Sequence, residues 1–292
     1  MTETFTAFLR SAAAAAALIA LLPAPDAQAQ MTVYYGGKMV YAQKTGMADS
    51  AQFVFNAPEA KASQECDAST VGGSIAKESQ AVDLGLSVKW APWNVGAKSA
   101  AEAGAYFAWG EVQAGKSSYD WESYYWIQDG KSDGQHITKY QTEDSQGENY
   151  DVLWYDNTNT FIGDGKTTLE SSDDAAAVNW GGKWRMPTQA ELAELSDKCT
   201  WEWKEEGEYA TGSLAGYLVT GPNGNSIFLP AAGYRWYSGL LGSGGYYWSS
   251  ELDSGYSYYA RNLYFYSGNR RAYYSRNRSY GMSVRAVLSA AE

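Results

Sequence analysis

Hydrophobic and polar positions follow two different periods along this chain. From Asn262 to Tyr266 the order Asn-Leu-Tyr-Phe-Tyr has period two, so a strand there sends Leu263 and Phe265 to one face and Asn262, Tyr264 and Tyr266 to the other. Tyr217 to Thr220 and Ile227 to Leu229 are short apolar runs of strand type. Helix signals gather further back. Ser171 or Ser172 can cap a helix through Asp173-Asp174-Ala-Ala-Ala-Val-Asn-Trp180, whose acidic first turn suits the helix dipole and which Gly181-Gly182 ends. Thr188 with Glu191 three residues on forms a capping box, Leu192 and Leu195 share a face, and that helix ends near Lys198. Upstream, Trp90, Trp93, Phe107 and Trp109 stand in short apolar runs between Gly turns and are core candidates. Residues 113–166 are polar and irregular, predicting a long, loop-like insertion with short strands and helices. Short strands, two helices and much loop predict an α+β domain.

The front of the chain divides into three pieces. Arg10 precedes an apolar run from Ala12 to Leu22, then Pro23, Pro25 and the small-x-small pattern Ala27-Gln28-Ala29, so residues 1–29 read as an export signal. The alternative is a buried Ala-rich helix. The run is too short to span a bilayer, and no transmembrane segment is expected in the mature chain. The expectation is therefore an exported protein, secreted, periplasmic or on the cell surface; no cysteine follows the apolar run, so a bacterial lipid anchor is not indicated. Residues 30–57 predict a short β-hairpin segment about Gly36-Gly37, residues 58–80 a linker without period, and residues 81–292 the main domain. Cys66 falls in the linker and Cys199 after a helix, and whether they pair stays open.

Composition changes the picture at the C-terminal end. Half of the 24 tyrosines lie between Tyr234 and Tyr280, mixed with Gly, Ser, Asn and Arg. That mixture suits a recognition surface, because Tyr offers stiff amphipathic contact area while Ser and Asn offer adaptable hydrogen bonds. The bland alternative is an ordinary aromatic-rich sheet. The net charge of −11 argues against general nucleic-acid binding. Seven arginines against Glu251 and Asp253 make residues 227–287 about +5, which leaves about −16 elsewhere and allows an anionic partner at that end.

Catalytic materials are few. His136, the single histidine, sits in a Gly/Asp/Lys/Ser-rich stretch and reads as an incidental surface residue; Ser249 and Ser250 read as turn hydrogen-bonders. Asp173-Asp174 and Glu205-Glu206 have the form of solvated faces or helix starts rather than a glycosidase pair. Asp156-Asn157-Thr158-Asn159 lacks EF-hand spacing, and the alternative is a structural Ca²⁺ among Asp164, Glu170, Asp173 and Asp174. The expectation is no catalytic residue, no metal and no cofactor.

The segments DLGLSVKWAPWNVGA (83–97), YFAWGEV (106–112), DGKTTLESSDDAAAVNWGGKWRMPTQAELAEL (164–195), LPAAGYR (229–235), YWSS (247–250) and GMSVRAV (281–287) together resemble the Fibrobacter succinogenes major paralogous domain of exported Bacteroidetes proteins. The resemblance implies the C-type lectin-like fold, in its formylglycine-generating-enzyme variant, preceded by short N-terminal strands. Residues from Thr200 onward contain no cysteine, which departs from the cysteine pair those enzymes use. Trp93 stands where many relatives carry a Cys. The last motifs are more particularly similar to variable proteins diversified by retroelements. That likeness implies a ligand-binding set of Trp236, Tyr237, Ser238, Tyr246, Tyr256, Tyr258, Asn262, Tyr264, Tyr266, Asn269, Arg271, Tyr273, Tyr274, Ser275, Asn277 and Tyr280, with Arg278, Gly281, Ser283 and Arg285 as scaffold. The expected function is non-enzymatic binding of a protein or glycan ligand at residues 227–287. The alternatives are a carbohydrate-binding module in which Arg270 or Arg271 reads anionic groups, a surface-layer component, or a formylglycine-generating-enzyme-like catalyst.

Overall fold

The computed structural model describes residues 18–22, 29–35 and 38–45 as paired strands, and residues 64, 71–144, 152–156 and 158–289 with their side chains. The chain forms two compact units, Met1–Ala62 and Ser63–Glu292. In the first, β1 (Leu18–Leu22), β2 (Ala29–Tyr35) and β3 (Lys38–Thr45) make an antiparallel sheet in that order. Strands β2 and β3 flank Gly36-Gly37, the expected hairpin position, while β1 comes from the apolar run read as part of an export signal. Among the described residues no helix is long and apolar enough to cross a membrane.

The second unit is mixed and strand-rich, with two α-helices among the described residues and several small antiparallel sheets, compatible with the α+β class. It begins earlier than Ala81. Trp184 Nε1 donates to Ala76 O at 2.8 Å, Trp93 Nε1 donates to Ser74 O at 2.8 Å, and Ala76 is buried. The later part of the predicted 58–80 linker is thus stitched to the domain; its Ala/Ser/Gly composition hides this because the bonds use main-chain carbonyls. Strands β4 (Val82–Asp83) and β5 (Val88–Trp90) join β14 (Val287–Ser289), which brings the ends of the unit together.

Helix α1 (Ala175–Trp180) is capped by Asp174, not by Ser171 or Ser172. The Asp174 carboxylate is buried and accepts from the amides of Ala176, Ala177 and Met186 at 2.8, 2.9 and 2.8 Å, so it serves the helix and the following segment together. Helix α2 (Gln189–Lys198) has the expected capping box, Thr188 accepting from the Glu191 amide and Glu191 from the Thr188 amide. Arg185 clamps Glu191 with two bonds at 2.8 and 2.5 Å. After α2, β6 (Thr200–Lys204), β7 (Gly216–Thr220) and β8 (Ser226–Pro230) form a meander, followed by the β9 (Tyr234–Trp236) and β10 (Gly239–Leu241) hairpin. The sheet of β11 (Gly245–Leu252), β12 (Tyr259–Tyr266) and β13 (Asn269–Asn277) carries much of the Tyr-rich segment.

Two cores lie beneath. One packs Leu192 and Leu195 of α2 against Tyr247, Leu263, Phe265 and Ala272, the inward face of that sheet. The other gathers Trp109, Trp126, Trp154, Trp184 and Trp248 with Phe107. Trp90, Phe107 and Trp109 are buried as expected, while Trp93 is half-buried. The 113–166 stretch contains no strand or helix among its described residues, yet Tyr119, Tyr124, Trp126, Ile137, Tyr140 and Trp154 are buried, so it is a folded lobe rather than a surface loop. His136 is likewise buried, with Nδ1 2.7 Å from Asp133 Oδ1.

Two arginines inside the unit hold these irregular segments. Arg278 is fully buried and has no carboxylate partner among the described residues; it donates to Tyr124 OH and to the carbonyls of Lys139, Tyr140 and Ser257 at 2.7–3.0 Å, and its guanidinium lies 4.8 Å from the Trp109 ring. Arg285 donates to Asn94 Oδ1 and to the carbonyls of Ala91 and Phe228, and burial pulls its pKa down to about 10. Because removing a buried charged donor orphans several acceptors at once, Arg278→Ala is expected to cost about 3–5 kcal/mol. A thermal melt would then move down by roughly 10 °C, and an unchanged Tm would refute this role.

Cys199, buried after α2, is a free thiol among the described residues; Cys66, its possible partner, lies outside the described residues. Burial, helped by the charge of Glu194, pushes the thiol up to about 11. A group neutral in the fold stays protonated at pH 8. Iodoacetamide at that pH should therefore leave Cys199 unmodified in the native protein and label it in urea, as read by peptide mass.

Candidate functional site

Strand register decides what the Tyr-rich segment presents. Tyr246 of β11 lies opposite Tyr264 of β12, which lies opposite Arg271 of β13; one step along, Trp248, Asn262 and Tyr274 are in line. Between those two rows Leu263 faces two residues of β13, Ala272 and Tyr273, a bulge that keeps Ala272 on the core side and returns Tyr274 to the outer side. The outer face therefore collects Tyr246, Tyr264, Tyr266 and Tyr274.

These rings touch one another. Tyr264 is stacked on Tyr246 at 4.6 Å between centroids and lies 5.1 Å from Tyr274 and 5.7 Å from Tyr266. Tyr246 meets Tyr234 edge-on at 4.8 Å, Tyr234 stacks on Tyr280 at 5.5 Å, Tyr280 is 6.0 Å from Trp236, and Trp236 is 5.3 Å from Tyr237. The result is one continuous run of eight rings from the β9–β10 turn across the sheet. Such offset and edge contacts preorganise the rings as well as pack them. Its outer members are open to solvent, with Trp236 and Tyr266 each 42% exposed and Tyr237 55% exposed.

Cations and strain shape this run. Arg276 lies over the Tyr274 ring at 4.7 Å. Burial raises the Tyr246 hydroxyl well above the ordinary phenol range, as does its hydrogen bond with Tyr264, against a smaller pull from Arg276. Tyr237 adopts φ 49°, a conformation bulky residues rarely take, in the two-residue turn between β9 and β10. Reciprocal 3.1 Å backbone bonds with Tyr119 of the irregular lobe hold it there.

Not every residue of the predicted set lies on this surface. Tyr246 is only 5% exposed and Asn262 is 0% exposed, so neither is freely available to a ligand. Neighbouring strands cover both: Tyr246 is roofed by Tyr234 and Tyr264, and Asn262 is flanked by Trp248 and Tyr274. Ser275 is tied to Asp253 at 2.6 Å. Tyr256 and Tyr258 form a second aromatic patch with Tyr259, and Tyr273, 66% exposed, projects alone from the bulge. Ser238 and Arg271 are exposed, and Asn269 and Asn277 are half-buried at the two ends of β13. Arg270, by contrast, sits over Trp201 and donates to Ser196 O, which makes it a prop for α2.

The sequence did not single out Tyr234 or Arg276 as ligand-facing. Tyr234 sits inside a framing motif, and Arg276 gains its place only through the strand register. Other candidate chemistry is consumed internally. Asp173 binds Lys139 and Tyr140, Glu170 binds Lys139 and Lys166, and Asp164 accepts from the amides of Tyr140 and Gln141. Among the described residues no group of three or more His, Cys, Asp or Glu could hold a metal ion. Ser249 Oγ donates to Arg261 O, a structural bond.

Known families, curated proteins and solved structures offer no match to this chain. The functional reading therefore rests on the geometry and on the resemblance of its motifs.

Both polar side-chain atoms of Asn262 lack a hydrogen-bond partner among the described residues. A buried amide left unpaired costs about 1–3 kcal/mol. Asn262→Leu should then raise stability by about 1 kcal/mol or more, measured as a rise in the urea midpoint; a lower midpoint would mean that the amide is satisfied.

Proposed function

We propose that this protein is an exported, non-enzymatic binding protein that presents the outer face of β11, β12 and β13 to a protein or glycan ligand, on a C-type lectin-like scaffold. The continuous run of eight rings carries this reading. Aromatic anchors of this kind dominate binding energy where they are well packed, and a few of them suffice. The ring edges and hydroxyls add directional bonding, and exposed Arg271 gives the face a cation that no acid of the described residues pairs. The diversification implied by the motifs is part of the same proposal. It would be tested in the neighbouring DNA: a reverse transcriptase gene with a template repeat differing from codons 236 to 280 only at adenines supports it.

The binding reading is tested with a glycan array and a displayed random-peptide library, each probed with wild type and with the triple variant Tyr264→Ala, Tyr266→Ala, Tyr273→Ala. Each ring that anchors a ligand is worth about 1–4 kcal/mol on truncation. The triple variant should lose wild-type hits by at least a hundredfold while its Tm falls only slightly. Collapse of the fold would make these rings core residues, and wild type without hits on either probe would overturn the proposal.

A further inference from the structure

The aromatic run ends at the β9–β10 turn in a cleft of about 330 Å³ whose chemistry differs from the rest of the face. Trp236, Tyr237 and Tyr280 form one wall, and Trp121 of the irregular lobe stands in the lining beside two carboxylates, Asp120 and Glu122. No Lys or Arg lines it, although the C-terminal segment as a whole is basic. Of the cations beside lining residues in sequence, Arg278 is buried on main-chain carbonyls, Arg276 lies over Tyr274, Arg235 lies over Tyr106 and Lys131 is exposed, while Lys116, four residues before Asp120, is held by both oxygens of Glu111 at 2.9 Å.

The two acids differ in role. Asp120 is fixed: its carboxylate accepts from Ser118 Oγ and from the Ser123 amide. Burial pushes it up, but those bonds and nearby Lys116 outweigh the burial and keep it below the usual carboxylate range. Glu122 is exposed and has no ion-pair partner among the described residues. A further observation points to an occupant. Ser279 lines the cleft at 1% exposure, and its Oγ has no hydrogen-bond partner among the described residues.

We propose that this cleft binds an alkylammonium group carried by the ligand of the aromatic face, held over the rings of Trp236, Tyr237 and Tyr280 and neutralised by Asp120 and Glu122. The inference rests on the reading of that face as a binding surface and names the chemistry at one end of it. Rings attract a cation through their negative faces, and the attraction grows as water is displaced. Carboxylates beside the rings add Coulomb attraction that an uncharged group of the same shape does not feel. The reciprocal Tyr119–Tyr237 bonds keep the two walls in place before a ligand arrives.

The test follows the indole N–H signals of Trp121 and Trp236 in the full ¹⁵N-labelled chain during titration with tetramethylammonium chloride, with tert-butanol as the neutral counterpart and ionic strength held constant. Both signals should shift saturably with the cation and at least tenfold more weakly with the alcohol. Glu122→Gln should weaken the cation response several-fold, and Trp236→Ala should abolish it at Trp121, with the remaining spectrum unchanged. Equal response to the two probes, no saturable shift, or an unaltered response in Glu122→Gln overturns the proposal. The Tyr264, Tyr266, Tyr273 triple variant separates the two readings: it leaves the ammonium response intact if the cleft is a cation site, whether or not ligand binding by the face is lost.

Discussion

A guanidinium buried among main-chain carbonyls is the constraint on which this fold depends. Arg278 and Arg285 lie inside the second unit with no carboxylate partner among the described residues, and each spends its donors on oxygens from segments distant in sequence. Regular strands and helices satisfy their own backbone, but an irregular lobe has carbonyls to spare, and a buried carbonyl needs a donor. A planar fork of five N–H groups can serve several at once. The lobe is thereby tied to the C-terminal segment through Lys139, Tyr140 and Ser257, and the start of the unit through Ala91 and Asn94.

That tie places the aromatic face. Arg278 comes one residue after β13 and immediately before Ser279 and Tyr280, so the anchor and the end of the ring run are almost the same stretch of chain. The hydrophobic pull comes from the other side of the sheet, where Leu263, Phe265 and Ala272 bury against α2. The opposite face is packed as well where Tyr246 and Trp248 enter the tryptophan core, and it opens to solvent towards Tyr266. Charge is divided too, with arginines on the strands and carboxylates on the lobe that meets them at the cleft.

Local signals were readable in the sequence wherever a few neighbouring residues decide the outcome. The Thr188–Glu191 capping box and the Leu263/Phe265 alternation both appear at the expected positions, because each depends on spacing within a turn or a strand. What the sequence left hidden depends on partners far along the chain. Asn262 alternates like a surface residue, and only the two flanking strands bury it. The 113–166 lobe lacks any period, since its tryptophans and tyrosines pack from loops. Residues 71–80 look like a spacer by composition and are secured by indole N–H groups more than a hundred residues away in the case of Trp184. Trp121, Asp120 and Glu122 give no sign in the sequence of facing Trp236.

The bulge at Ala272-Tyr273 acts as a phase corrector. One surplus residue there resets the in-and-out parity of β13, so Tyr274 and Arg276 emerge on the same side as Tyr264, while Ala272 keeps its seat over α2. Flattening the bulge with that residue kept would swap inside for outside along the rest of the strand, delivering arginine towards oil and serine towards water. A change of length in β13 outside the bulge would have the same effect, whereas exchanging one side chain for another leaves the parity of the strand intact.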